Sequence, residues 1–160
     1  MTEFEEWYLL ERPVVLSACI ALCGDLDGAR EATDEAFTRA FERWERVGVM
    51  QAPGAWTQTV ALNYLRRRQR RRFLFGRVGR QPEAACASPL PDWELWEAVR
   101  ALPPRQQMAV VLRYVHDMSY EQIAEAMRIS TGAVASTLTA ARHKLAGLTS
   151  AVEQQEAVDG

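Results

Sequence analysis

The sequence predicts an all-α protein made of two small helical domains joined by a flexible linker. Apolar residues recur with a helical period of 3.6 along most of the 160 residues, and no segment keeps the two-residue alternation of a half-buried strand. Between residues 75 and 91, glycine and proline cluster while the apolar period is lost, which is typical of a linker. We therefore expect domains at 1–74 and 92–149, followed by a frayed tail at 150–160.

The first domain is expected to contain three helices. Pro13 lies inside the first of them, so a kink or a break is expected there, and Gly24 to Asp27 read as a turn followed by an N-cap. The second helix should bury one apolar face, consisting of Ala32, Ala36, Phe37, Ala40, Phe41 and Trp44. In chain order, the three helices are predicted at residues 3–23, 28–47 and 55–72. The loop before the third helix is predicted at residues 47–54.

The second domain contains a helix-turn-helix pattern at residues 119–145. Ser119 and Gln122 form a capping box, in which each side chain bonds the other residue's backbone N–H. A three-residue turn follows at 128–130, and Ser130 or Thr131 caps the next helix. The buried face of that helix is predicted to be Val134, Leu138, Ala141 and Leu145. Such a motif can place its second helix in a DNA major groove, although a plain helical hairpin without a DNA role has the same local pattern. The domain's four helices are predicted at residues 93–102, 104–116, 119–127 and 131–148.

The charge is distributed very unevenly. The net charge is −2, which excludes a uniformly basic nucleic-acid-binding protein. Residues 61–80, however, carry eight arginines and no acidic residue, whereas residues 1–60 carry 5 arginines and 11 acidic residues. Six of the arginines occupy seven consecutive positions: Arg66, Arg67, Arg68, Arg70, Arg71 and Arg72. Their side chains repel one another unless a polyanion neutralises them. The rival interpretation is a disordered basic patch that neutralises the acidic first domain.

Other protein classes lack support in the sequence. The apolar stretches are too short for a membrane span, and the acidic N-terminal residues do not resemble a targeting signal, so we expect a cytoplasmic protein. The three cysteines, Cys19, Cys23 and Cys86, are predicted to be buried thiols rather than metal ligands. No glycine-rich phosphate loop, HExxH or GxSxG motif occurs. We expect neither an enzyme nor a cofactor.

Several segments resemble one known family. Residues 102–114 (LPPRQQMAVVLRY), 117–127 (DMSYEQIAEAM), 129–134 (ISTGAV) and 141–145 (ARHKL) are similar to region 4 of bacterial sigma factors. Gly24-Asp25, followed by a helix with Ala29, Glu31, Asp34, Glu35 and Phe37, resembles region 2.1–2.2, and the stretch from Trp56 through Asn63 resembles regions 2.3–2.4. The order of these segments, without a middle domain, fits the small extracytoplasmic-function (ECF) class of the sigma-70 superfamily. The resemblance spans about residues 4–148.

The resemblance implies a promoter-specific transcription initiation factor with particular partners. These are the RNA polymerase core, contacted at the β′ clamp helices and the β flap, promoter DNA and, commonly in the family, an anti-sigma factor. Core polymerase would contact Glu31, Asp34, Glu35 and Arg39. The −10 element would be bound by Asn63, Arg66, Arg67, Arg70 and Arg71, together with the loop at 48–54. The −35 element would be bound by Ser130, Thr131, Ser136, Thr139, Arg142 and Lys144.

The predicted recognition helix departs from the family pattern. Family members carry lysine or arginine where this chain has Ala135, Thr137 and Ala140, and Arg128 replaces a turn glycine. Fewer cations mean fewer phosphate contacts, so −35 binding is expected to be weak or altered. Two alternatives therefore stay open: a sigma-like interaction protein with a degraded recognition helix, and a helix-turn-helix transcriptional regulator.

Overall fold

The computed structural model describes the backbone of residues 1–75 and 93–159, and the side chains of residues 1–75 and 94–148. These residues form eight helices and no strand, which confirms the all-α prediction. The chain divides into two compact units, Met1–Ser88 and Pro89–Gly160. The linker predicted at 75–91 falls, beyond residue 75, outside the described residues. In the described part of the chain, no helix is long and apolar enough to cross a membrane.

Four helices make up the described part of the first unit. They are α1 (Glu3–Cys23), α2 (Leu26–Glu42), α3 (Trp44–Val47) and α4 (Pro53–Leu74). Helices α1, α2 and α4 pack against one another around a core of small residues, which lets their backbones approach closely. The core residues with no more than 3% exposure include Val15, Ala18, Cys19, Ala29, Ala32, Ala36, Phe37, Ala55 and Ala61.

Helix α1 is continuous through Pro13, so the proline does not end it. The helix begins with a capping box between Thr2 and Glu5, and it ends at Gly24, whose φ of 65° is in the left-handed region that favours glycine. The Gly24 N–H donates to the Ile20 carbonyl oxygen at 2.9 Å. Pro13 lies on the exposed side of the helix, where solvent can hydrate the backbone carbonyl that lacks its usual donor.

The second predicted helix is in fact two helices. Helix α2 starts at Leu26, with Asp25 as its N-cap, and stops at Glu42 because Arg43 leaves helical geometry, with φ −121° and ψ 23°. Helix α3 then follows as a single turn. Phe41, in the last turn of α2, is 64% exposed rather than buried. Its ring instead packs edge-on against Phe4, with the centroids 5.0 Å apart.

Helix α4 is the longest helix of the first unit, at 22 residues. Pro53 occupies its first turn, where a missing N–H costs nothing. Its buried side continues to Leu65 and stops there, since every residue of α4 after Leu65 is half-buried or exposed. The arginine block thus lies on the part of α4 that extends past the buried core. Trp56, near the start of α4, is half-buried.

The second unit contains the remaining four helices. They are α5 (Trp93–Arg100), α6 (Pro104–Tyr114), α7 (Tyr120–Met127) and α8 (Thr131–Asp159). Val134, Leu138 and Ala141 are fully buried, as predicted. Helix α8 runs to Asp159, so residues 150–159 are helical rather than a frayed tail. The sequence beyond Leu148 contains no proline and no glycine before Gly160, and nothing local ends the helix.

Candidate nucleic-acid interface

The arginine block of α4 has two sides. At 3.6 residues per turn, positions 66, 67, 70 and 71 share one side of the helix, and positions 68 and 72 lie on the other. The first group is exposed, and we name its members the outer arginines: Arg66, Arg67, Arg70 and Arg71. These are the four arginines predicted to contact DNA. They form a cationic band along two turns of the helix.

The other two arginines, Arg68 and Arg72, face α2 and are called the inner arginines. The Arg68 Nη1 donates to Asp25 Oδ2 at 2.8 Å, and its Nε lies 3.3 Å from Glu31 Oε2. The Nη2 of Arg72 lies 3.7 Å from the same Asp25 oxygen. The hydrogen bond from Arg68 lowers the pKa of Asp25 below its usual value. The rival interpretation, in which the block neutralises the acidic first domain, thus describes the inner arginines and not the outer ones.

Gly28 makes the approach of Arg68 to α2 possible. This glycine is buried, and a Cβ at its position would collide with the Arg68 guanidinium. Asp25 Oδ2 is also within 2.8 Å of that Cβ position. The ion pair therefore occupies the space that a side chain at position 28 would fill.

A carboxylate also lies beside the start of α4. The Glu11 carboxylate occupies the space beside Gly54, at the N-terminus of α4, where the helix dipole favours an anion. Burial raises the pKa of Glu11 above its usual value. Asn63, the predicted base reader, is half-buried on the same helix. In the loop at 48–54, Val49 projects into solvent with 83% exposure, so the loop offers an accessible surface.

The polar face of α2 carries all four residues predicted to contact core polymerase. Glu31 pairs with Arg68 across the helices, Asp34 with Arg12 at 3.1 Å, and Glu35 with Arg39 at 2.7 Å. Glu31 and Asp34 are exposed, while Glu35 and Arg39 are half-buried. We call Glu31, Asp34, Glu35 and Arg39 the acidic face. The two surface pairs, Asp34 with Arg12 and Glu35 with Arg39, can exchange partners at low cost, because such a pair contributes about 1 kcal/mol or less.

The helix-turn-helix has the local geometry that the sequence predicts. The Ser119 Oγ accepts from the Gln122 N–H at 3.2 Å, and the Gln122 side chain accepts from the Ser119 N–H at 2.9 Å. Ser130, rather than Thr131, caps α8 by accepting from the Ala133 N–H at 3.1 Å. Arg128 adopts φ 56° and ψ 47°, a left-handed conformation at a non-glycine residue.

Helix α8 presents hydroxyl groups to solvent over its first three turns, with no charged side chain before Arg142. The Ser136 hydroxyl donates to the Gly132 carbonyl oxygen at 3.0 Å. The predicted −35 contacts are all exposed: Ser130, Thr131, Ser136, Thr139, Arg142 and Lys144. Ala135, Thr137 and Ala140 are half-buried. Because none of these three side chains is charged, the helix lacks cations at the positions where the resemblance leads us to expect lysine or arginine.

Two tyrosines hold Arg142 at the surface. Its Nε donates to the Tyr114 hydroxyl at 2.9 Å, and both terminal nitrogens lie 3.4 Å from the Tyr120 hydroxyl. The guanidinium carbon also lies 5.9 Å from the centroid of the Tyr114 ring. Sequence reasoning missed both tyrosines, and it missed Asp25 as the partner of Arg68. These partners are 22 to 43 positions apart, so no spacing rule for helices could have found them.

Cys19 is a buried free thiol, and Cys23 is a half-buried one. Burial raises the pKa of Cys19 to about 12 and that of Cys23 above its usual value, so both thiols stay protonated and unreactive near neutral pH. Cys86 lies outside the described residues. No cluster of metal-ligating side chains occurs in the described part of either unit.

The fold and the site together define a class of protein. An all-helical chain with an arginine-rich helix in one unit and a helix-turn-helix in the other has the architecture of a DNA-binding transcription protein. Residues 92–145 match the family profile of sigma-70, region 4. The chain is 30% identical to the RNA polymerase sigma-E factor of Streptomyces coelicolor, over 89% of this chain and 84% of that protein.

Two further similarities extend the comparison. The chain is 32% identical to an uncharacterized protein of Rhizobium meliloti (strain 1021) over 92% of its own length, and it spans 39% of that longer protein. Its fold is similar to that of the sigma factor RpoE, solved in complex with the anti-sigma factor NepR from Bartonella quintana, with a TM-score of 0.75 and 23% identity. That match covers 94% of this chain and 98% of the other.

The chain therefore belongs to the extracytoplasmic-function group of the sigma-70 family of RNA polymerase sigma factors. The family consists of transcription initiation factors and not of enzymes, in agreement with the sequence-based prediction.

Proposed function

We propose that this chain directs core RNA polymerase to promoters in the cytoplasm, with the first unit binding the −10 element and the second unit the −35 element. The observation that carries the proposal is the band of outer arginines on α4. Four exposed guanidinium groups follow Asn63 along one helix, and none of the four takes part in an ion pair described within residues 1–75. Phosphate contacts from such a band supply affinity, and Asn63 with the loop at 48–54 supplies base recognition.

The acidic face of α2 is the proposed contact with the β′ clamp helices. Asp34 and Glu35 are paired with nearby arginines at the surface, so an arginine or lysine of a partner can replace Arg12 and Arg39 at little cost. By analogy with the family, we also propose that the second unit contacts the β flap and that an anti-sigma factor regulates the chain. The complex of RpoE with NepR supports the latter for a protein of the same fold.

Run-off transcription tests the proposal. Holoenzyme is assembled from this chain and core polymerase of the same organism, and a promoter is first enriched from a randomised DNA library. We expect transcripts that start at one position and depend on this chain. Binding to core without any selected promoter or transcript would contradict the proposal.

Reversing two outer arginines tests the −10 assignment. Arg67→Glu with Arg70→Glu should abolish open-complex formation, because each glutamate repels a phosphate, while binding to the β′ clamp helices stays unchanged. The measurement is permanganate reactivity of unpaired thymines at the −10 element. Arg105→Glu, at an exposed arginine of the second unit, is the control and should retain reactivity. Surviving reactivity in the double variant would show that the outer arginines do not contact DNA.

A second function is favoured by one specific observation. Residues 131–141 of α8 carry no charged side chain, so the first three turns of the helix lack the cations that usually fix a recognition helix to phosphates. A sigma-like interaction protein would bind core polymerase but yield no transcript in the run-off assay. A helix-turn-helix regulator would instead bind DNA without any need for core polymerase.

A further inference from the structure

The part of α4 that carries the arginine block has no apolar anchor. The buried side of the helix ends at Leu65, and none of the described residues from Arg66 to Phe75 is buried. Over this stretch the described interactions that join α4 to α2 are the ion pairs of Arg68 and Arg72 with Asp25 and Glu31. The direction of the last turns of α4 therefore depends on polar contacts.

Those contacts form a partly buried network of ion pairs rather than an isolated pair at the surface. One guanidinium bridges two carboxylates, with Arg68 at 2.8 Å from Asp25 and 3.3 Å from Glu31. The side chains of Arg68 and Asp25 are only 24% and 28% exposed. The guanidinium fills the space that Gly28 leaves open on α2. Asp25 is in addition the N-cap of α2, accepting from the Asp27 N–H at 3.2 Å, so its own position is fixed.

We propose that Arg68 is a positioning residue for promoter binding, which acts through Asp25 to aim the outer arginines at DNA without contacting DNA itself. This inference rests on the proposed function. It divides a block of six apparently equivalent arginines into four that meet phosphates and two that hold the helix. Asp25 becomes a determinant of DNA affinity although its own charge repels DNA.

Asp25→Asn gives the sharpest test, because electrostatics and positioning predict opposite results. Removing a carboxylate from the basic region should tighten DNA binding if charge alone mattered. If Asp25 positions Arg68, the same change should weaken binding, by about five- to ten-fold. Asparagine is as good an N-cap as aspartate, so α2 should remain intact, which thermal unfolding would verify. Glu31 is not chosen for the test since it belongs to the acidic face.

The salt dependence of binding separates a positioning residue from a phosphate contact. Holoenzyme affinity is measured by fluorescence on the library-selected promoter, carrying a pre-opened −10 bubble, at several salt concentrations. Arg67→Ala, the matched control among the outer arginines, should reduce the slope of log affinity against log salt by ~0.7 to 0.9. Arg68→Ala should leave that slope unchanged and lower affinity by a similar factor at every salt concentration. Arg68→Lys, which can still reach Asp25, should restore part of the affinity.

The outcomes are distinct. Weaker binding by Asp25→Asn with an unchanged slope, and no further loss when Arg68→Ala is added to it, would support the inference. Equal or tighter DNA binding by Asp25→Asn would overturn the inference. It would also be overturned if Arg68→Ala reduced the slope of log affinity against log salt as much as Arg67→Ala does. An unchanged slope for Arg67→Ala would contradict the proposed function itself, and the inference with it, because the outer arginines would then meet no phosphate.

Discussion

At the scale of single residues, identical side chains in one block have different roles because of helix geometry. Arg67 and Arg68 are neighbours in sequence, yet Arg67 is exposed and Arg68 lies between Asp25 and Glu31. The cause is the 100° rotation per residue, which sends adjacent side chains to different sides of α4. A count of basic residues therefore overstates the charge available to a polyanion.

Arg128 is a second residue whose role depends on local geometry. It ends α7 at φ 56°, where a Cβ crowds the backbone. Arg128→Gly should therefore stabilise the second unit by about 1 kcal/mol, measured by urea unfolding. Arg128→Ala, which removes the charge but keeps the Cβ, is the control and should give no gain. A stabilisation by alanine equal to that by glycine would show that the charge, and not the backbone, limits stability here.

At the scale of elements, capping decides where helices begin. The capping box of α7 joins Ser119 and Gln122 through two hydrogen bonds, which satisfy two N–H groups that have no partner within the helix. Ser119→Ala should destabilise the second unit by about 1 kcal/mol, observed as a lower thermal midpoint. Ser119→Asp retains a capping oxygen and should keep most of the stability. If alanine is neutral, the cap does not define the start of α7.

Local signals explain which elements the sequence could predict. The bounds of α1, the capping box of α7 and the start of α8 depend on neighbouring residues, and all three agree with the structure. The break at Arg43 was not predicted, because no proline or glycine lies there, and Phe41, predicted in the core, is exposed. The end of α8 was predicted too early, at residue 148. The residues after Leu148 have no apolar period that would indicate a helix, but before Gly160 they also contain no residue that would stop one.

The candidate site could be predicted only in part, for a similar reason. Exposure of the outer arginines follows from the helical period, so the sequence was enough to propose them. The partner of Arg68 depends on how α2 and α4 pack, and Asp25 lies 43 residues away. The tyrosines that hold Arg142 likewise come from α6 and α7 and meet α8 only in the folded unit. Tertiary packing is the information that a single sequence did not contain.

At the scale of the whole molecule, the two units should respond to acid in opposite directions. In the second unit, burial lowers the pKa of His116 from 6.5 to about 4. The unfolded state then binds the proton more readily, so stability falls as pH drops from about 6.5 towards 4. In the first unit, burial raises the pKa of Glu11 above 4.5. Here the folded state binds the proton more readily, so stability rises as pH falls towards 4.5. The lowered pKa of Asp25 acts only below its usual value of 3.8.

Calorimetry of the full chain at pH 7.5 and pH 5 tests this difference. We expect the second unit to lose stability at pH 5, by up to about 2 kcal/mol, because 1.4 kcal/mol accompanies each pH unit over which only the unfolded state is protonated. The first unit should be unchanged or slightly more stable. His116→Gln cannot titrate, so it should remove the loss and thereby identify which transition belongs to the second unit. Parallel shifts of both transitions, unaffected by His116→Gln, would mean that acid acts on the net charge of the whole chain and not on His116 and Glu11.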